Sequence, residues 1–197
     1  RDRFGQSRTF AVPASLPNPQ RFTSVTYFTN DFDTRTRGVD VVLAYAKPVG
    51  PGTANISLAY NYNQTKVTSG TSAAIANESQ RIIFEERLPK HNGTASLGYT
   101  LGKVGIQGRA RYYGAWTDVS GNATGDLYQR FGSMVLFDLS ASVQVTPNIS
   151  IRGGAENIFN SYPDEATNQA VRGLIYSRNA PYDTDGGQYY VRLGLTF

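Results

Sequence analysis

The chain has 197 residues, of which 40% are hydrophobic and only 17% charged, with 20 Gly, 13 Tyr and no Cys. Its formal charge of +4 comes from scattered Lys and Arg rather than a basic cluster interleaved with aromatics, which argues against a nucleic-acid partner. No apolar run is long enough for a membrane helix, so if the chain crosses a bilayer it does so with strands.

A mean hydropathy of −0.37 is compatible with that, because half of every barrel strand faces a polar lumen. Without Cys there is neither disulfide nor thiolate chemistry. The first residue is Arg1 and no signal-peptide pattern follows, so the chain reads as processed or partial.

Residues 1–10 read as a strand remnant and 11–20, with three prolines, as a loop. From 22 to 46 the apolar positions Val25, Tyr27, Val39, Val41, Leu43 and Tyr45 keep one parity. This predicts one long strand whose middle projects beyond an apolar band, with a hairpin at Asn30 to Asp33 as the alternative. A tight turn over 47–52 leads to Ala54, Ile56, Leu58, Tyr60 and Tyr62 on one face against Asn55, Ser57, Asn61 and Asn63 on the other. Residues 65–88 are rich in Ser, Thr and Asn and predict a long loop, with or without a short helix.

After Pro89 the alternation resumes with Ala95, Leu97, Tyr99 and Leu101, and Gly102 turns the chain. The return strand places Val104, Ile106, Gly108, Ala110 and Tyr112 outward and Lys103, Gln107, Arg109, Arg111 and Tyr113 inward. Such a basic row needs water or partners, so it should line a wet interior. A second long loop, 116–132, precedes the strand of Val135, Phe137, Leu139, Ala141, Val143 and Val145. Thr146-Pro-Asn148 turns into a strand over 149–159 with Ser150, Arg152 and Glu156 inside, and a third long loop covers 160–187.

The last ten residues alternate without a fault: Tyr189, Val191, Leu193, Leu195 and Phe197 share one face, as a barrel-closing strand ending on an aromatic residue would. Long loops alternate with short turns throughout. That asymmetry is typical of outer-membrane barrels, and it puts the long loops outside the cell if Phe197 lies at the periplasmic end. The fold class expected is all-β, an antiparallel transmembrane barrel segment of about eight strands.

The residues also carry a family resemblance. Tyr27-Phe-Thr-Asn30, Thr34-Arg-Thr-Arg-Gly-Val-Asp40, Leu88-Pro-Lys-His91 and Arg111-Tyr-Tyr-Gly114 occur in order, and Asn157-Ile-Phe-Asn160 is followed by Tyr162-Pro163 and the closing strand. Together they resemble the carboxyl-terminal part of the barrel of a TonB-dependent outer-membrane receptor. The resemblance implies a ligand-gated import receptor that takes up a scarce nutrient, such as a siderophore-type metal chelate, with energy delivered by TonB. It implies as partners the rest of the barrel and a plug domain, outside this chain, together with the TonB complex, outer-membrane lipid, lipopolysaccharide and a small-molecule ligand.

Candidate ligand contacts at the lumen or extracellular mouth are Arg109, Arg111, Tyr113, Trp116, Tyr128 and Arg130. The competing role for the arginines is a lumen ion-pair network, and for Trp116, Tyr128 and Arg130 an interfacial belt. His91 is the only histidine, and a lone imidazole makes no metal site. No catalytic constellation and no cofactor site are expected. Two other readings compete: a self-contained eight-stranded outer-membrane barrel acting as adhesin or anchor, and a soluble barrel or sandwich with its apolar face inward.

Overall fold

The computed structural model describes residues 5–10, 25–30, 32–70, 78–119, 127–167 and 173–196. Phe197 and the proline-rich stretch 11–20 fall outside them. The strands are β1 Gly5–Phe10, β2 Val25–Asn30, β3 Asp33–Val49, β4 Gly52–Ser69, β5 His91–Leu101, β6 Val104–Tyr113, β7 Trp116–Val119, β8 Tyr128–Phe131, β9 Met134–Thr146, β10 Ile149–Glu156 and β11 Gln188–Leu195. One helix, α1, spans Glu78–Glu85.

Seven strands form one antiparallel sheet in the order β11-β10-β9-β6-β5-β4-β3, while β1 pairs with β2 and β7 with β8 in separate ladders. Within the seven-stranded sheet, sequential strands are therefore spatial neighbours, except that β6 meets β9 because the β7–β8 hairpin is an excursion from the wall. Among the described residues the sheet is open, with β3 at one edge and β11 at the other. A self-contained closed barrel is thus not what these strands form.

The parity expected from the sequence sets the two faces. Register pairs Val41 with Tyr60, Leu43 with Leu58 and Tyr45 with Ile56 on one face, and the same face continues through Leu97, Ile106 and Leu139 to Val191 and Leu193. Among the described residues these side chains are left exposed: Tyr189 is 85% exposed, Val191 81% and Leu97 61%. An apolar belt that continuous in water would be a large association surface, and in a bilayer it is the lipid face. No helix of the described residues is long and apolar enough to cross a membrane. The opposite face carries Asn55, Ser57, Asn61, Thr94, Ser96, Arg109, Arg111, Asp138, Arg152 and Arg192.

The short turns fall at Gly50-Pro51, Gly102-Lys103 and Pro147-Asn148. Gly50 (φ 58°) and Gly102 (φ 56°) take the left-handed conformation that two-residue hairpin turns demand. At the third turn Asn148 clamps the chain's end: its Nδ2 donates to the Thr196 carbonyl (2.8 Å), and the Thr196 amide donates to the Asn148 carbonyl (2.9 Å).

Besides the strand read over 149–159, which ends at Glu156 because Asn157 turns left-handed (φ 50°), two expectations change. Among the described residues, the predicted long strand over 22–46 is two strands, β2 and β3, which pair with different partners, and no ladder joins them as the alternative hairpin would. The second change is in β4, which runs on to Ser69 through residues read as loop, because β3 extends far enough to pair it to the end. The Thr36 and Thr65 hydroxyls meet at 2.9 Å, and Ser69 Oγ donates to Asp33 Oδ2 at 2.7 Å. The loop after β4 is correspondingly shorter and contains α1.

Candidate functional site

Two arrangements on the polar side bring chemistry-bearing side chains together. The first is an ion-pair hub on the inner wall. Arg109 and Arg111 stand two apart on β6, and Asp138 is the direct cross-strand partner of Arg109 on β9. Arg111 binds the carboxylate with both arms of its fork, Nε to Oδ2 at 2.9 Å and Nη2 to Oδ1 at 2.8 Å. Arg109 Nε adds a bond to Oδ2 at 2.8 Å, and its Nη2 lies 3.7 Å from Glu156.

The Asn157 amide donates to Oδ1 as well, at 3.0 Å, so a carboxylate only 7% exposed has four donors. That satisfies nearly all its lone pairs, the condition under which a buried charge is tolerable. Arg109 keeps a 40% exposed side chain, whereas Arg111 is 19% exposed.

The second arrangement is a cap built from the three long connections. The expected loop over 116–132 contains the β7–β8 hairpin, and Trp116 and Phe131 stack across it at 4.6 Å with rings inclined by 15°. Trp116 is 2% exposed and donates from Nε1 to the Tyr182 hydroxyl at 3.2 Å. Tyr182 packs with Met134 and Leu136 of the wall, and edge-on against Tyr113 at 5.2 Å. Tyr113 therefore joins wall to cap. Burial raises the Tyr182 phenol above its ordinary value of 10.0; the Trp116 bond opposes this and the charge of Asp164 adds to it.

On either side of the hairpin the neighbouring connections are tied in. Asp118, 3% exposed, accepts from Ser177 Oγ and from Asn179 Nδ2 at 3.0 Å. The Thr117 amide donates to the Glu86 carbonyl at 2.9 Å and its hydroxyl to Glu86 Oε2 at 3.0 Å, just past α1. Gln129 Nε2 donates to the Glu165 carbonyl at 2.7 Å.

The Asn157-Ile-Phe-Asn160 element is where wall turns into cap. Asn157 takes a positive φ of 50°, and its side-chain amide both donates to the Ser161 carbonyl (2.8 Å) and accepts from the Ser161 amide (2.9 Å). Ile158 N–H binds the Phe137 carbonyl at 2.8 Å, and Phe159 packs edge-on to Phe137 at 5.4 Å. Asn160 Oδ1 accepts from the Gly187 amide at 2.8 Å, which closes the 160–187 connection at its base. Gly186 beside it has φ 82°, and a Cβ there would meet the Tyr162 hydroxyl at 2.5 Å.

The expected site residues thus divide. Arg109 and Arg111 belong to the Asp138 hub, Tyr113 and Trp116 to the packed interior under the cap, and Tyr128 and Arg130 lie exposed on β8. Sequence reasoning missed Asp138 as the hub, as well as Asp118, Asn157 and Tyr182; only the inward parity of Asp138 and the Asn157 element carried a signal. His91 packs against Tyr62 at 4.9 Å and shares a hydrogen bond with the Tyr60 hydroxyl at 2.7 Å. Among the described residues no group of three or more His, Cys, Asp or Glu could hold a metal ion.

Below the hub, a concavity of about 420 Å³ is lined by Gln107, Arg109, Ser140, Arg152, Glu156 and Arg192. A further one, of about 300 Å³, lies between α1 and the inner wall, with Asn61, Asn63, Asn92, Phe84 and Tyr113 on its walls.

The family model described as TonB dependent receptor-like, beta-barrel, matches residues 6–158. No curated protein sequence matches the chain. Among solved structures, the pyoverdine outer membrane receptor FpvA from Pseudomonas aeruginosa PAO1, bound to pyoverdine, is 17% identical with a TM-score of 0.57, covering 98% of this chain and 25% of that one. The copper transporter OprC is 19% identical with a TM-score of 0.57, covering 99% and 27%. P. aeruginosa FpvA bound to heterologous pyoverdines is 17% identical with a TM-score of 0.51, covering 81% and 20%. At these identities the likeness shows the fold, and the chain spans between 20% and 27% of the length of these proteins.

Proposed function

The chain belongs to the TonB-dependent receptor β-barrel family of the bacterial outer membrane, and we propose that it is the carboxyl-terminal wall and part of the extracellular cap of an import receptor. Its ligand is a scarce small molecule, with a siderophore-type metal chelate as the class, and import is energised through TonB by way of a plug domain outside these residues. The remaining barrel strands, also outside the chain, pair with the open edges at β3 and β11, since unpaired edges are not tolerated in lipid.

The observation that carries the reading is the cap: three long connections bolted into one body above a polar wall whose reverse side is a lipid-facing belt. A structural anchor needs no such ordered polar cover. In this reading the candidate residues divide the labour. Tyr128 and Arg130, exposed on β8, and Arg109, the more exposed arginine of the hub, are assigned to ligand contact. Trp116, Tyr113 and Arg111 hold the frame that presents them. Lipid and lipopolysaccharide are the partners of the outer belt.

The test is uptake in the organism that carries the gene. With the gene deleted, cells starved of iron should lose accumulation of radiolabelled iron supplied as its ferric siderophore, and loss of TonB should have the same effect. Unchanged accumulation in both strains would refute the reading. An R130Q/Y128A variant should reduce ligand binding to whole cells about tenfold while leaving receptor abundance unchanged.

A further inference from the structure

The parity that puts Val39, Val41, Leu43 and Tyr45 of β3 on the lipid face carries on past the belt to Arg37 and Arg35, and that of β4 carries on from Tyr60 and Tyr62 to Gln64 and Lys66. The register is unbroken over this stretch, with Arg35 opposite Lys66 and Arg37 opposite Gln64. The alternate positions of β4, Asn61, Asn63 and Thr65, line the concavity beneath α1 and so define the inner face. Arg35, Arg37 and Lys66 therefore stand on the outer face, and all three are exposed.

Their depth follows from strand length. On β3 the outward positions between Arg37 and Lys47 are all apolar or aromatic, which matches the about 9–11 residues that a tilted strand takes to cross a bilayer. At the long-loop end, Tyr60 and Tyr62 mark the edge of that layer together with His91, whose ring lies 4.9 Å from that of Tyr62 and which shares a hydrogen bond with the Tyr60 hydroxyl at 2.7 Å. Rings with a polar tip favour this level of a membrane. Arg37 follows Val39 after one pleat, about 7 Å along the strand, and Arg35 after another. The cations thus stand in the headgroup layer.

Among the described residues none of the three has an ion pair. The carboxylate beside them on β3, Asp33, accepts from the Ser69 hydroxyl at 2.7 Å. Cations placed directly opposite repel, and an anion relieves that repulsion between Arg35 and Lys66. No preformed pocket is needed for this. A headgroup layer presents its anions side by side, and it is selected by charge at the right depth on the right face.

We propose that Arg35, Arg37 and Lys66 form a binding patch for the phosphate groups of outer-leaflet lipopolysaccharide. The patch is continuous with the lipid belt, so one molecule lays acyl chains along Val39, Val41 and Tyr60 and sets its phosphorylated sugars against the cations. Lipid of the inner leaflet meets the short-turn end instead. The proposal rests on the outer-membrane reading above, with the long loops outside the cell, and not on which ligand is imported.

The test uses the full-length receptor, purified in detergent and freed of bound lipid, with heat-induced loss of the folded barrel followed on gels. Added lipopolysaccharide should raise the unfolding temperature, whereas lipopolysaccharide stripped of its phosphates, or inorganic phosphate, should do so far less. R35Q/R37Q/K66Q should raise the half-saturating lipopolysaccharide concentration about a hundredfold, near fivefold for each cation. R35K/R37K, which keeps the charges, should stay close to the unmodified receptor, and so should K47Q, which removes an outward cation at the opposite end of the belt. If the triple variant does not fold, R37Q alone supplies the comparison, with a shift of about fivefold.

An unchanged half-saturating concentration in these variants overturns the proposal. Equal stabilisation by phosphate-free lipopolysaccharide also overturns it and gives binding to the acyl chains, while an equal response to inorganic phosphate reassigns the patch to free anions. A triple variant that unfolds earlier without lipid yet responds to lipid normally gives the cations to carboxylates of the strand that joins β3, and the proposal fails. The readout involves no uptake, so a failed import test leaves it standing.

Discussion

At the scale of single residues, Asp138 is the most constrained group of the wall, with two guanidinium groups and the Asn157 amide converging on it. Asp138→Asn removes the charge and turns one oxygen into a donor facing donors, so it should cost about 2–3 kcal/mol, less than a fully buried pair because Arg109 is partly solvated. Lowered resistance to heat-induced unfolding on gels would show it. Arg111→Gln should cost more than Arg109→Gln, since Arg111 supplies the two-armed contact.

In the cap, Trp116→Ala should open loop sites to protease on intact cells while leaving the barrel's gel mobility alone, because the lost stack and bond lie outside the wall. Tyr182 gives the cap an alkaline limit. Its raised phenol disfavours the phenolate in the packed state, so cap stability is full below the ordinary value of 10.0 and declines as pH rises through it. Cap opening followed by fluorescence of Trp116 should show that alkaline step, and Tyr182→Phe should remove it.

At the scale of elements, alternation carried nearly everything that could be read from the chain. Wherever one face is apolar and the other polar, as in β4 from Ala54 to Asn63 or β6 from Val104 to Tyr113, a period of two fixes the face of every side chain, and the structure has the same faces. The signal vanishes where strands leave the lipid belt. Thr65-Lys-Val-Thr-Ser69 has no apolar face, so its composition reads as loop although β3 pairs it as far as Ser69, with a register shift that skips Thr68. The same holds for β7 and β8, where Trp116 and Asp118 acquire their roles from Tyr182 and Ser177, partners whose proximity no local pattern encodes.

The Asn157-Ile-Phe-Asn160 element was legible as a motif but not as a mechanism. Its Asn157 combines a left-handed backbone with a side-chain bridge to Ser161. Asn157→Gly should keep the backbone and lose the bridge, costing about 1 kcal/mol, while Asn157→Ala loses both and should cost about twice that. Protease sensitivity of the 160–187 connection would rank them.

For the whole molecule, the two faces of the wall have different tolerances. An arginine at Leu97 or Ile106 on the apolar belt should cost about 2–4 kcal/mol and lower the amount assembled in the outer membrane, whereas an arginine at Gln107 one position away faces water and should assemble normally. The cap obeys a different constraint, one of time. Most strand pairs of the wall join strands adjacent in sequence and can zip as soon as both are present, while β6 waits for β9 across the β7–β8 excursion. The cap instead joins Trp116 to Tyr182, 66 residues on, and Asp118 to Ser177, 59 residues on. Contacts so remote pay their loop-closure entropy late. The wall is therefore expected to assemble while its outer end is still open and accessible, and the cap to lock only when the last long connection has been threaded between β10 and β11.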